Sequence, residues 1–431
     1  MPAAQREGRG KFYDARLSGN GTVSCGACHP DADNDGIAWD LGDPGGEMLT
    51  LIGYGYSIGE PWPVDRPVHP MKGPMVTQSL RGIRGTAPFH WRGDRQRIQD
   101  FNASFAGLQA GSRLSDADMD GVAAYLEALR NHPNPNRNPD NSLKSTVAGG
   151  DPERGRQHFE QLNVCSKCHT GPRGTNHVLD EFTGVLTQQP VKNATLEHSY
   201  KKVFFTPQTA TSLSGFGFTH DGSGSRLPRG HEYDQDRFRL YENAERDVTA
   251  YVLSFESDTP PAAAESLTVS RTGSAFAEDP ADFRRLMEAE ASAGRCDLMI
   301  TGSIGGRARS YLFDPASGLY AGDSAAVPPQ TFAALLGGLY GGESLTLHGV
   351  TAGSGRRRAL DRDNDGILNA DEPPPELQLR AAPLRLDWAA AADWCPEQSG
   401  SLNTWSPLLL PSSRELPPAN PCSFFRLTRT W

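Results

Sequence analysis

The stretch Cys25-Gly26-Ala27-Cys28-His29 returns in kind as Cys165-Ser166-Lys167-Cys168-His169. Both read Cys-x-x-Cys-His, the attachment signature of a c-type haem. The order has a chemical reason. Two thiols add to the haem vinyl groups as thioethers, and the adjacent histidine then lies under the iron and supplies one axial nitrogen. A redox dithiol needs no histidine, and a zinc ribbon sets its cysteine pairs roughly 15–20 residues apart. Here the pairs stand 140 residues apart. The expected cofactors are therefore two covalently bound c-type haems. Cys25, Cys28, Cys165 and Cys168 form the thioethers, and His29 and His169 ligate the irons.

The sequence around the two motifs also repeats. Gly8-x3-Phe12 precedes the first and Gly155-x3-Phe159 the second. Downstream, Val122–Leu129 (VAAYLEAL) echoes Val248–Phe255 (VTAYVLSF). Both carry apolar residues at helical spacing, and Tyr125 and Tyr251 are expected to pack one terminal helix of each half on the other. Each half reads as helix, haem loop, long irregular segment and closing helix. The fold class expected is mainly α, with two tandem cytochrome c-like domains followed by a small α/β unit, a calcium-loop segment and a short β tail. The boundaries read 1–131 and 151–258 for the two domains, with a Pro/Asn-rich linker at 132–150. Residues 267–355 read as the α/β unit, 356–376 as the calcium segment and 377–431 as the tail.

Composition narrows the partners. The 431 residues carry 42 Lys and Arg against 52 Asp and Glu, a net charge of −10. No basic stripe is present, so nucleic acid is a poor partner. An acidic surface suits a small redox protein as electron donor or acceptor. No window approaches the ~18 apolar residues of a membrane span. Covalent haem and residual cysteines point to a periplasmic or otherwise extracytoplasmic compartment. The opening residues MPAAQREGRGKFYD hold no apolar leader segment, which is expected to be absent from this chain.

Over residues 8–257 these features resemble the bacterial dihaem cytochrome c peroxidases and their MauG-like relatives. Lys72–Arg95 (KGPMVTQSLRGIRGTAPFHWRGDR) is similar to the family segment ending in Phe-Trp-Asp-Gly-Arg, and Phe218–Ser223 (FTHDGS) to its Phe-His-Asp-Gly motif. The resemblance implies that Trp91 takes the place of the aromatic relay between the haems. It also implies electron transfer with hydrogen peroxide reduction as an oxidoreductase activity. The alternative is a non-catalytic electron-transfer module of a larger secreted protein. A MauG-type oxidase that matures a cofactor is a third reading. The family's acid/base glutamate has no counterpart, because Asp94–Ala110 contains Asp94 and Asp100 but no Glu.

The sixth iron ligand separates these readings, since Met or His makes an electron-transfer site and an open position admits peroxide. In the first half the candidates are Met48, His69, Met71, Met75 and His90, with Met75 the expected ligand of the first iron. The second half has no methionine between Met119 and Met287. The repeat aligns Gln208 with Met75, so the second haem is expected to use a histidine or stay open. Candidates are His177, His198, His220 and His231, with His198 and His220 placed on its distal side.

In the C-terminal third, Ala281–Ala293 reads as a helix, and Cys296–Thr301, Ala308–Phe313 and Glu343–Val350 as strands. Asp361–Glu372 fits a twelve-residue calcium loop. Asp361, Asp363, Asp365, Asn369 and Glu372 supply side-chain oxygens, Ile367 a carbonyl, and Gly366 the turn. Pro373–Pro375 forbids an exit helix, so the loop reads as a stiffener. Asp31-Ala-Asp33-Asn-Asp35-Gly36 opens alike but has Gly42 where the glutamate would stand. Cys395 and Cys422 are a candidate disulfide in the tail, leaving Cys296 as a buried odd thiol.

Overall fold

The computed structural model describes residues 1–41, 49–56, 61–68, 73–161, 165–181, 191–203, 217–222, 242–272 and 277–373, together with short strands beyond. The chain divides into two compact units, 1–261 and 262–431. Both expected haem-bearing halves fall inside the first. Helix and sheet are mixed, so strand content exceeds the mainly α expectation.

In each half two helices cross at a glycine. Ala3–Tyr13 packs on Asp116–Glu127, and Pro152–Gln161 on Glu242–Leu253. A Cβ on Gly8 would stand 1.8 Å from the Gly121 carbonyl oxygen, and one on Gly155 1.8 Å from that of Asp247. Only glycine permits such close helix backbones. One turn on, Phe12 and Phe159 are buried. Their rings meet Tyr125 at 5.8 Å and Tyr251 at 5.3 Å. Thus the Gly-x3-Phe spacing puts the small residue at the crossing and the large one in the core below it.

The 132–150 segment is a packed strap rather than a free linker. Asn134 is buried. Its amide donates to the Leu253 and Phe255 carbonyls, Asn136 Nδ2 donates to Leu253, and Arg137 Nε to Ser254. These carbonyls lie at the C-terminal end of a helix, where acceptors lack intrahelical donors. The Asn-rich composition therefore serves as a helix cap.

The irregular segments hold short strands. β1 (Ala38–Trp39) pairs with β4 (Met75–Val76). β2 (Leu49–Tyr56) and β3 (Pro61–Val68) form a hairpin, with β2 also parallel to β5 (Leu179–Glu181), which pairs with β6 (Val191–Lys192). This sheet, ordered β3-β2-β5-β6, joins the two halves. Its proline-bearing strand lies at the edge, where a missing N–H costs no ladder bond.

The second unit is built on a five-stranded antiparallel sheet, β10-β9-β8-β11-β7. The strands are β7 (Ser266–Ser270), β8 (Asp297–Ile304), β9 (Arg307–Asp314), β10 (Leu319–Gly322) and β11 (Ser344–Val350). Leu298 and Ile300 of β8 and Leu345 and Leu347 of β11 alternate inward. They form one core with Met287 of the helix Ala281–Ser292 and Leu335 of the helix Phe332–Gly337. Cys296 is a buried free thiol, which burial pushes up to about 12. Further on lie two three-stranded sheets. One is β12 (Leu377–Ala381), β13 (Leu384–Trp388) and β16 (Ser413–Glu415); the other is β15 (Thr404–Pro407), β14 (Trp394–Ser401) and β17 (Phe424–Arg429). The Cys395–Cys422 pairing lies outside the side chains described. No helix among the described residues is long and apolar enough to cross a membrane.

Candidate haem sites and the seam between the halves

Each Cys-x-x-Cys-His motif is one tight helical turn whose histidine N–H donates back to the first cysteine carbonyl, at 3.0 Å for His29 and 2.9 Å for His169. The turn brings both thiols and the imidazole together. His29 Nδ1 lies 3.2 Å from the Asp33 carbonyl and His169 Nδ1 2.8 Å from that of Gly174. A carbonyl only accepts, so Nδ1 carries the proton in both rings and Nε2 keeps its lone pair. This is the tautomer and orientation that iron ligation needs. Burial pushes the His29 pKa down, against the raising effect of the Asp33 carbonyl, so the ring favours the neutral form.

Cys25, Cys28, Cys165 and Cys168 are all free thiols. Burial raises the Cys25 and Cys28 pKa values and takes Cys165 to about 11. Gln109, which the sequence reading missed, donates to Cys25 Sγ at 3.5 Å across 84 residues. Cys25, Cys28 and Cys165 are therefore not poised as thiolate nucleophiles at neutral pH. Thioether formation would also remove the acidic proton altogether.

Met75 is buried and its backbone is paired with Trp39. The next residue, Val76, donates its N–H to the His220 carbonyl at 2.8 Å. Met75 and His220, assigned from sequence to different haems, therefore border the same seam. Three second-half histidines, His177, His198 and His220, have a buried Nδ1 that finds no partner among the described residues. Such atoms are costly without a partner. Burial and the Lys201 ammonium push the His198 pKa down to about 3, keeping it neutral. His90 differs, with Nδ1 2.7 Å from Asp94 Oδ1 and its ring edge-on to Phe101. Met48, His69, Met71, Gln208 and His231 lie outside the described residues.

Trp91 touches both halves. Its indole N–H donates to the Val76 carbonyl at 3.0 Å, and its own carbonyl accepts from Lys192 N at 2.7 Å. The ring stands 6.5 Å from that of His220, and the Lys202 ammonium sits 5.8 Å from its centroid. Burial lowers the Lys202 pKa to about 8.

Around Trp91, side chains of the second half grip backbone carbonyls of the first. Lys192 Nζ donates to Pro88 at 2.6 Å and to Thr86. Arg173 donates to Gly82 and Arg84, and binds buried Glu197 at 3.0 Å. Lys201 pairs with Asp33 at 2.6 Å. Arg173 and Lys192 carried no sequence signal, because a side chain that binds a distant carbonyl leaves no local pattern.

In the C-terminal unit, carboxylate oxygens of Asp361, Asp363 and Asp365 come within 4.8 Å of one another. Asn369 accepts from Arg362 N and donates to the Ala359 carbonyl, and Glu372 is not one of the group. In the earlier loop, Asp33 is spent on Lys201, and Asp35 accepts from the Trp39 indole and from Ile37 N.

No family model matches the chain. Over 179 residues it is 30% identical to hydrazine synthase subunit gamma of Kuenenia stuttgartiensis, covering 38% of this chain and 42% of that relative. The match thus spans under half of the curated relative's length. Among solved structures it is similar to Kuenenia stuttgartiensis hydrazine synthase pressurized with xenon. The TM-score is 0.41 at 19% identity, covering 59% of this chain and 88% of that one. It is also similar to a MauG-like protein associated with microbial copper homeostasis. Here the TM-score is 0.34 at 16% identity, covering 61% and 91%. Over part of its length, then, the chain is similar to hydrazine synthase subunit gamma.

Proposed function

We propose that the chain is a dihaem c-type cytochrome that transfers electrons and reduces hydrogen peroxide. The observation that carries this reading is the pair of Cys-x-x-Cys-His turns, each with its histidine Nδ1 turned to a backbone carbonyl. Cys25 and Cys28 would hold the first haem and Cys165 and Cys168 the second, with His29 and His169 on the irons. Bound haem supplies one-electron chemistry and, where its sixth position is open, a site for peroxide.

The chain's own residues divide the remaining work. Met75 is the candidate sixth ligand of the first haem, and His198 and His220 stand on the distal side of the second. Trp91 offers an aromatic path across the seam, kept in place by Val76 and Lys192. The His90–Asp94 pair can hold and pass a proton, which peroxide cleavage requires. A small redox protein would exchange electrons with the acidic surface in a periplasmic or similar extracytoplasmic compartment.

A second reading is a non-catalytic electron-transfer subunit of a larger assembly. It is favoured by the 30% identity to a protein described as a subunit. An electron paramagnetic resonance spectrum of the oxidised protein, paired with a peroxide turnover assay, separates the two. A high-spin haem with turnover supports the enzyme. Two low-spin haems without turnover support the carrier.

A further inference from the structure

We infer that the 361–366 turn of the C-terminal unit is a structural calcium site, separate from the haem chemistry. Three aspartates alone would be an ordinary acidic turn. The decisive feature is Asp361, which is 2% exposed yet has an Oδ1 with no hydrogen-bond partner among the described residues. Its other oxygen is used, accepting from Gly366 N at 3.2 Å and lying 3.6 Å from Arg356. A buried carboxylate oxygen left bare is expensive. Asp361 belongs to the trio whose ligand atoms lie within 4.8 Å of one another, so a cation placed among them would give its carboxylate a partner.

The donor set is all carboxylate oxygen, which selects a hard divalent cation. Asp363 and Asp365 are exposed, leaving room for waters. An adaptable, partly hydrated oxygen shell suits Ca²⁺ better than the strict octahedron of Mg²⁺. Gly366 has φ +95°, the left-handed turn that brings position six of such a loop around.

The loop is tied to the sheet on both flanks. Leu360 and Ala359 pack on Met299 of β8, and Asn369 N donates to the Leu360 carbonyl. Asp371 accepts from Ser324 Oγ at 2.6 Å and Ala325 N at 2.7 Å, just beyond β10. Calcium at the centre of this clasp would therefore stiffen the end of the β8–β10 sheet. Both turns give backbone N–H groups to their aspartates, but in the Asp31–Gly36 turn Asp33 is also paired with the Lys201 ammonium and the second Asp35 oxygen accepts from the Trp39 indole.

The test uses the full-length haem-loaded chain, analysed for metal as purified and again after dialysis against a chelator. Isothermal titration with CaCl2 should give one site with a Kd on the order of 10 μM to 1 mM. Saturating CaCl2 should raise the melting temperature of a transition that leaves the haem absorbance unchanged, because a ligand of the folded state stabilises it by mass action. MgCl2 should bind at least about tenfold more weakly. The exposed double variant Asp363→Asn/Asp365→Asn should fold and lose calcium affinity by about a hundredfold, whereas Asp35→Asn should bind as the parent does. Absence of calcium from the purified chain together with no uptake on titration overturns the site. So does uptake undiminished in the double variant, and equal affinity for magnesium overturns the choice of cation. Loss of haem from Cys-x-x-Cys variants leaves this result untouched, so the two proposals fail independently.

Discussion

The two Cys-x-x-Cys-His halves share a helix crossing but part company in their histidines. Both close a phenylalanine and a tyrosine beneath a glycine, and both turn the histidine of the motif to a backbone carbonyl. In the first half, the described histidines His29 and His90 each have a partner at Nδ1. In the second, His177, His198 and His220 have a buried Nδ1 that finds none among the described residues. Methionine runs the other way, with Met75 buried in the first half and none between 119 and 287. The repeat thus keeps the motif histidine on its backbone carbonyl in both halves, while the other histidines and the methionines have diverged. The expected consequence is two haems that differ in ligation and in potential.

The largest effect should come from removing either attachment motif. Cys25→Ala/Cys28→Ala and Cys165→Ala/Cys168→Ala are each expected to leave one covalent haem where the parent has two, counted as pyridine haemochrome on denatured protein. Fewer than two in parent protein matured in the periplasm would break the comparison at its root.

The glycine crossings should come next. Gly8→Ala and Gly155→Ala each drive a methyl group to 1.8 Å from a carbonyl oxygen of the facing helix. Helix separation should cost about 2–4 kcal/mol in either half, read from denaturant midpoints. Equal losses would show that the crossing bears the same load twice. A neutral outcome at one site would show that its helix pair is not held at this distance.

Much of this architecture was legible in the sequence because its causes are local. Gly-x3-Phe and the apolar stripe around Tyr125 announce a helix pair through spacing alone. The strand Ser344–Val350 announces itself by apolar alternation, and Asp297–Ile304 by the apolar run Leu298–Ile300. The seam was not legible. Arg173 and Lys192 act across roughly a hundred residues of chain on backbone carbonyls, which have no identity in a sequence. The strap at 132–150 was hidden for a related reason. Its asparagines have the composition of a linker, and only the nearby end of the helix Glu242–Leu253 makes them caps. The strands joining the halves were missed because their prolines and glycines suggest irregular chain unless an edge position is known.

Distal ligation offers a smaller, spectroscopic test of the same asymmetry. Met75→Ala should abolish the weak sulfur-to-iron band near the red edge and lower one haem potential, since thioether ligation stabilises reduced iron. His198→Ala and His220→Ala should perturb the other haem only. The seam sharpens this test, because Val76 N donates to the His220 carbonyl. If Met75→Ala shifts the haem held by Cys165 and Cys168, the methionine serves the second half across that contact. Two equal high potentials with two sulfur bands would remove the asymmetry altogether.

The smallest effect concerns an ion pair that each half places between its crossing helices. In the first half Lys11 meets Asp118 at 3.1 Å, with both side chains about a third exposed. Solvent screens such a pair, and its contribution is close to nil. In the second half Arg154 meets Asp247 at 2.9 Å, and the carboxylate side is only 4% exposed. Burial alone would raise the Asp247 pKa. The Arg154 guanidinium and the Asp151 N–H outweigh it and hold the carboxyl below its ordinary value. The sign follows. A carboxylate depressed in the folded state stabilises it above the unfolded pKa, about 3.9, and that stability is lost as pH falls through the lower folded value. Asp247→Asn should therefore lower the melting temperature at pH 7 by about 2–4 °C and make the decline below about pH 4 shallower. Asp118→Asn should stay within about 1 °C of the parent at both pH values. Melting curves of the two variants at pH 7 and pH 3 decide the matter. An Asp247→Asn chain that melts with the parent at pH 7 would show that the buried pair only breaks even against its desolvation.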